Sequence, residues 1–281
     1  MHESGESQRI LLECRIDFQA ADRHTPGHQM SEPLAGKIAF VTGGARGIGR
    51  ATALKLAKAG CDVAIAYHNS HEEAEAVCAA VCESGRKTLA VQADVSDPES
   101  VAEAFAEFRK QFHRVDIVVS NAAIGVLRPA LEMNLKHWRR CMETNALALN
   151  SLAQQSVPIM PEGGVLIGLS SLGSVRAIPH YSFIGASKAA LESLARGLAQ
   201  ELGHTKKIRV NIVSAGVVDT DALKHFPNRE ELLAEYGRRT PIGPTLTPEQ
   251  VADAVYLLCL PEAAMITGHT LIVDGGYCIS G

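Results

Sequence analysis

Residues 38–49, IAFVTGGARGIG, decide how the rest of the chain is read. Ile38-Ala39-Phe40-Val41 reads as a short strand, because an unbroken apolar run suits a sheet covered on both faces. TGGARGIG, residues 42–49, follows directly and opens a helix through Leu56. Gly43, Gly47 and Gly49 stand between strand and helix, so backbone can approach a pyrophosphate at the helix N-terminus. A glycine-rich turn alone also suits a plain tight connection. Its place after the first strand of a βαβ unit favours dinucleotide binding.

Outward from that turn, strand and helix alternate six times. Residues 63–66 form the second strand, and the next helix places Ala74, Val77, Cys78 and Val81 at i, i+3, i+4, i+7. Residues 89–91 precede Asp94, and Val101, Ala104, Phe105, Phe108 and Phe112 make another apolar stripe. A fourth strand at 115–119 runs into SNAAIGVLRP, and a long helical region continues to about Val157. A strand at 164–169, a helix carrying Lys188, a strand at 208–213, a helix at 247–260 and a strand at 270–273 complete the series. Strands separated by helices mean a parallel sheet with helices on both faces, an α/β doubly wound fold. No linker or repeat interrupts residues 34–281, so one domain and one site are expected. Residues 1–33 read as a disordered N-terminal extension, or as a mis-called start ahead of Met30.

Composition narrows the function. The chain has 281 residues, 46% of them hydrophobic, and a net charge of −4 spread along its length. That leaves no electrostatic footprint for nucleic acid. No apolar run approaches the ~18 residues needed to span a bilayer. Seven cysteines with no CxxC pair argue against a metal site or a disulfide framework, and read as buried thiols of a reducing, cytoplasmic compartment.

The chemistry is expected in residues 168–191, GLSSLGSVRAIPHYSFIGASKAAL. Tyr181 lies seven residues before Lys188 and Ile184 four before it. If the helix reaches back that far, ~100° per residue puts both within ~40° of the lysine's azimuth. A tyrosine and a lysine on one face of such a helix can polarise a carbonyl beside a nicotinamide; a buried structural tyrosine is the plain alternative. His180 reads as a loop residue. Asn145, a poor helix former, is expected to hold a water or a backbone kink beside the lysine, against the alternative of an exposed helical Asn.

The second strand ends in Tyr67-His68-Asn69, without the acidic residue that binds a 2′-hydroxyl in NAD enzymes. Arg46 could pair with a 2′-phosphate, which predicts NADPH, or could only cap local carbonyls. Asp94 could reach the adenine edge or cap the helix near Asp97. Asn121-Ala122-Ala123 suits close approach to a ribose. Residues 211–227 should lie over the carboxyl ends of the strands. There Val217, Val218, Leu223 and Phe226 could line an acyl pocket or simply pack.

These residues together resemble the short-chain dehydrogenase/reductase family over residues 34–281: TGGARGIG, Asp94, Asn121, Asn145, Ser171 and Lys188. The resemblance implies a single Rossmann-type domain with a seven-stranded parallel sheet, and a homodimer or homotetramer. It departs at SNAA, at Ser214-Ala215-Gly216 and at Ile184, which stands where the family's Tyr-x-x-x-Lys motif has its tyrosine. NAAIGVLRP, SSLGS, DTDALKHFPNRE and the tyrosine seven before the lysine look like the third bacterial type of enoyl-acyl-carrier-protein reductase. That resemblance implies NADPH-dependent reduction of a trans-2 double bond in fatty-acid or related acyl biosynthesis, on acyl carrier protein or coenzyme A. It implies catalytic Tyr181, Lys188, Ser171 and Asn145. The implied cofactor set is Thr42, Gly43, Arg46, Gly47, Ile48, Gly49, His68, Asp94, Val95, Asn121, Ala122, Ala123, Lys188, Gly216 and Val218. Lys188 would bind the nicotinamide ribose and lower the tyrosine's pKa. Lys224, His225, Arg229, Arg238 and Arg239 could greet an acidic carrier, though Glu230, Glu231 and Glu235 dilute them. A carbonyl reductase of the same fold and a non-catalytic dinucleotide-binding regulator are the alternatives.

Overall fold

The computed structural model describes residues 32–220, 229–243 and 245–280. Seven parallel strands form one sheet: β1 (Ile38–Thr42), β2 (Asp62–Tyr67), β3 (Thr88–Gln92), β4 (Ile117–Ser120), β5 (Val165–Ser171), β6 (Arg209–Ala215) and β7 (Thr270–Val273). Their order is β3-β2-β1-β4-β5-β6-β7, so the direction of winding reverses between β1 and β4. A cleft opens at such a switch point, above the carboxyl ends of the strands.

Successive residues of a strand point to opposite faces, and β1 shows what that does here. Ala39 and Val41 enter one apolar layer with Val63 and Ile65, beneath α1 (Gly47–Lys58), α2 (His71–Glu83) and the helix Pro248–Cys259. Phe40 enters the other, stacking on Phe105 of α3 (Pro98–Gln111) with ring centroids 4.6 Å apart. The stripe predicted for α3 is buried: Val101, Ala104, Phe105 and Phe108 lie inside, with Phe112 at the C-cap. Asp97 caps that helix by accepting from the Glu99 amide at 3.0 Å, with Pro98 in the first turn.

Among the boundaries that differ from the sequence reading, three have a local reason. β4 starts at Ile117, because the Asp116 side chain accepts from the Ile38 amide and pairs with Lys37 and Arg114 at the strand's entrance. β5 runs two residues further, carrying Ser170 and Ser171 on the strand itself, where they pair with Ser214 and Ala215. The single long helix expected up to Val157 is instead α4 (Leu135–Met142), a π-turn (Glu143–Leu147) and α5 (Ala148–Ser156). Asn145 sits in the middle of that π-turn and is 2% exposed, so the exposed-Asn alternative is set aside. Cys61, Cys78, Cys141 and Cys259 are buried free thiols and Cys278 is partly buried; Cys82 departs from the pattern as a disulfide-bonded residue. Residues 1–31 lie outside the described residues.

Candidate active site

The glycine turn is braced from β4. Thr42 Oγ1 accepts from the amides of Asn121 (3.0 Å) and Ala122 (3.1 Å). The Asn121 side-chain amide donates to the carbonyls of Thr42 (2.9 Å) and Gly43 (3.2 Å). Asn121 therefore spends its amide on holding the turn, which is a different use from the ribose contact expected of it. A Cβ at Gly49 would overlap the Gly43 carbonyl, and Gly47 has φ +52°, so glycine is required at both positions. The result is a bare helix N-terminus with no acidic residue in its first turn, and it fits the pyrophosphate of a dinucleotide. Thr220, absent from the sequence-derived set, packs within 3.6 Å of where a Gly47 Cβ would stand. Its signal was a hydroxyl in a segment already placed over the strand ends.

On the adenine side, Arg46 occupies the N-cap of α1 with an exposed side chain that caps nothing. His68 is exposed, its Nε2 3.8 Å from Asp94 Oδ2. Asp94 does not cap α3, a place that Asp97 fills. It accepts instead from the Ser96 hydroxyl (2.6 Å) and amide (2.9 Å). Those bonds hold its carboxyl below the usual range, with smaller help from His68 and Arg140. Val95 buries its side chain in the core, leaving only backbone for the cleft.

α6 (Ser182–Lys206) begins one residue after Tyr181, which is its N-cap at φ −110°, ψ 5°. The azimuth argument thus does not apply to Tyr181. His180, in the left-handed region at φ +62°, turns the chain just before it and belongs to the loop, as read. The tyrosine hydroxyl still reaches Ser171 Oγ at 3.1 Å, an approach made possible by the two-residue extension of β5. Burial pushes the Tyr181 hydroxyl pKa up, and the Ser171 bond offsets part of that. The lowering expected from Lys188 is not among its causes. The Lys188 amine donates to the Leu169 carbonyl at 2.7 Å, and burial pulls its own pKa down to about 8.

Asn145 ties three segments together. Its Oδ1 accepts from the Ile124 amide (2.8 Å), and its Nδ2 donates to the Ile124 carbonyl (2.8 Å) and Ser187 Oγ (2.9 Å). The π-turn is what points a helical asparagine at both the loop after β4 and α6.

Ile184 is 7% exposed, and a Cβ on Gly125 would overlap its Cδ1. An apolar side chain thus fills the place where a tyrosine would otherwise enter the site. Cys141, buried on α4, lies close enough to affect both Tyr181 and Lys188 electrostatically. Behind the Tyr181 ring, between Gly173, Ser174, Arg176 and Ser182, is a cavity of about 250 Å³ that neither Ser171 nor Lys188 lines. Val218, offered for an acyl pocket, is packed in the core and bridges to Leu246, whereas Val217 is half-buried. Gly216 lies against Tyr236, whose hydroxyl donates to the Asp274 carbonyl at 2.8 Å. Arg229 pairs with Asp219 at 2.6 Å and Arg239 with Glu235 at 3.7 Å, so two of the candidate carrier-facing cations are internally matched. Leu223, Lys224, His225 and Phe226 lie outside the described residues.

A dinucleotide cradle beside a serine–tyrosine hydroxyl pair and a buried lysine defines the class, an oxidoreductase of the Rossmann type. The family model described as enoyl-(acyl carrier protein) reductase matches residues 43–278. The chain belongs to the short-chain dehydrogenase/reductase family. It is 38% identical to the 1-cyclohexenylcarbonyl-CoA reductase of Streptomyces collinus, over 90% of each chain. Against a hydroxynaphthalene reductase-like protein of Metarhizium anisopliae it is 32% identical, over 86% of this chain and 95% of that one. A short-chain dehydrogenase from Burkholderia cenocepacia, solved in complex with NADP, superposes with a TM-score of 0.81 at 36% identity, covering 88% of this chain and 99% of that chain. Among the described residues no helix is long and apolar enough to cross a membrane.

Proposed function

We propose that the protein uses NADPH to reduce the trans-2 double bond of an enoyl thioester to the saturated acyl thioester. The observation that carries this is the Ser171–Tyr181 hydroxyl pair at 3.1 Å, with an apolar Ile184 in the position four before Lys188. The name of the Streptomyces collinus relative, a reductase of an unsaturated acyl-CoA, supports it.

NADPH would supply the hydride. Arg46 and His68 would hold its 2′-phosphate, and the α1 N-terminus its pyrophosphate. Lys188 would bind the nicotinamide ribose. As hydride reaches the substrate's β-carbon, its π electrons move onto the thioester oxygen, and the Tyr181 hydroxyl donates to that developing enolate. Ser171 orients Tyr181, and a proton from solvent water adds at the α-carbon to complete the saturated product. Asn145 holds the Ile124 loop in place through its two backbone bonds. The substrate rides on coenzyme A or an acyl carrier protein, and the setting is the cytoplasm. Leu135, Trp138 and Leu147 project from the α4–α5 unit at 60%, 38% and 42% exposure, which supports a homo-oligomer.

A second reading, reduction of a 3-oxoacyl thioester or other carbonyl with Tyr181 as proton donor, draws on the hydroxynaphthalene reductase-like relatives. Loss of NADPH absorbance with crotonyl and acetoacetyl thioesters, each on coenzyme A and on carrier protein, decides between them. Faster oxidation with crotonyl is expected, whereas faster oxidation with acetoacetyl overturns the enoyl reading.

A further inference from the structure

Three consecutive residues at the end of β5 are each gripped by a different polar side chain from the α6 region. Lys188 donates to the Leu169 carbonyl (2.7 Å), Ser170 Oγ donates to Glu192 Oε1 (2.6 Å), and Ser171 meets the Tyr181 hydroxyl (3.1 Å). Glu192 is the member that the proposed chemistry leaves without a task. It is 7% exposed, one helical turn beyond Lys188 on the same face, and inside the fold rather than on its surface.

A buried carboxylate needs a reason, since acidic residues are almost never fully buried unless paired. Ser170 supplies one hydrogen bond. Lys188, four residues earlier on the same helix face, supplies the opposite charge without a direct ion pair, in surroundings where such charges act strongly on each other. We propose that Glu192 is a positioning residue for the reaction, holding Lys188 in its ammonium form through the carboxylate that Ser170 fixes in place. The proposal rests on the reading of Lys188 as the group that binds the nicotinamide ribose.

The surroundings of Lys188 contain little else that could do this. The titratable groups whose fields reach it are Glu192 on its own helix and Cys141 from α4. Burial pushes the Cys141 thiol up, and its effect on Lys188 is the smaller of the two. Tyr181 faces Ser171, and the acceptor from β5 is a carbonyl. Burial alone drags Lys188 down and Glu192 pushes it back up, leaving it at about 8. Without the carboxylate, the ammonium would be lost at lower pH.

The test is a fluorescence titration of NADPH against the whole protein, without substrate, from about pH 6 to pH 10, a window that spans a lysine shifted well below its usual value. The wild type should lose affinity as pH rises through about 8. In Glu192→Gln, which keeps an acceptor for Ser170, that fall should move down by about one pH unit or more, the size of a single opposite-charge effect. Glu192→Asp should restore the wild-type profile, and Cys141→Ser should shift it less than Glu192→Gln does. The double variant Ser170→Ala with Glu192→Met removes charge and partner together, leaving no orphaned group, and should show the same displacement if the single variant folds poorly. Superimposed profiles for Glu192→Gln and wild type, or an affinity flat across the range, overturn the proposal. Because no thioester is present, a failed enoyl substrate would leave this result standing.

Discussion

The Tyr181 hydroxyl stands 3.1 Å from Ser171 Oγ, although the tyrosine lies outside α6 and the helical position four before Lys188 is occupied by Ile184. A donor fixed by a serine from the strand needs no helical register to hold it, so displacing the tyrosine by a turn costs the pair nothing in geometry. If that hydroxyl stabilises charge only as the hydride moves, Tyr181→Phe should lower kcat by about 10²–10³, the usual loss for one oxyanion donor. NADPH affinity should change less than about twofold, since uniform binding is untouched. Stopped-flow oxidation and a separate cofactor titration measure the two, and a variant with near-full turnover would remove Tyr181 from the mechanism.

Ile184 and Gly125 form a second relationship that can be tested by stability alone. The space a Cβ would need at Gly125 already holds Ile184 Cδ1. Gly125→Ala should therefore destabilise the fold by about 1–3 kcal/mol, the usual cost of overpacking. Adding Ile184→Val, which gives up that methyl, should recover part of the loss, so the two changes will not sum. Urea midpoints of the four proteins close the cycle; strictly additive values would mean the two side chains do not share the space.

How far the sequence carried the reading depends on the range of the interaction concerned. The sheet, the glycine turn and the α3 stripe were legible because each is written in neighbouring residues. Asn145 was singled out by its poor helix propensity, but the π-turn that buries it depends on Ile124 and Ser187, distant partners that no local pattern reveals. The expected effect of Lys188 on Tyr181 failed for the same kind of reason. Sequence placed the two residues seven apart, about two turns along one face, but could not show that the amine would turn to the Leu169 carbonyl. Asn121 directly follows β4, as its sequence position implied, yet its amide is consumed in bracing Thr42 and Gly43. Val218 looked like pocket lining because an apolar residue over strand ends reads the same whether it faces the cleft or the core.

Cofactor choice gives a prediction on the exposed rim of the site. Arg46 caps nothing at the start of α1, which leaves its guanidinium for an incoming anion. A charge-assisted bond to phosphate contributes roughly 1.5–3 kcal/mol. Arg46→Ala should accordingly weaken NADPH by about 10–100-fold while leaving NADH nearly unchanged, and raised salt should narrow the gap. Equal weakening of both cofactors would assign Arg46 to the turn rather than to the 2′-phosphate.

Lys188 also makes a prediction about the fold that runs opposite to its role in the site. Its folded pKa of about 8 lies below its ordinary 10.5, because burial disfavours the ammonium. Below pH 8 both folded and unfolded chains hold the proton, and the folded protein bears the full cost of the buried charge. Between about 8 and 10.5 the unfolded chain binds more protons than the folded one, so stability gains with pH from this residue. The whole difference is on the order of 3 kcal/mol. Lys188→Met removes the titrating group, so its stability relative to wild type should be greatest near neutral pH and shrink steadily as pH rises past 8. Urea unfolding of both proteins across that range reads the difference directly. A constant difference would mean that the buried amine does not change its protonation on folding, and that the loss of NADPH affinity expected over the same range must come from another group.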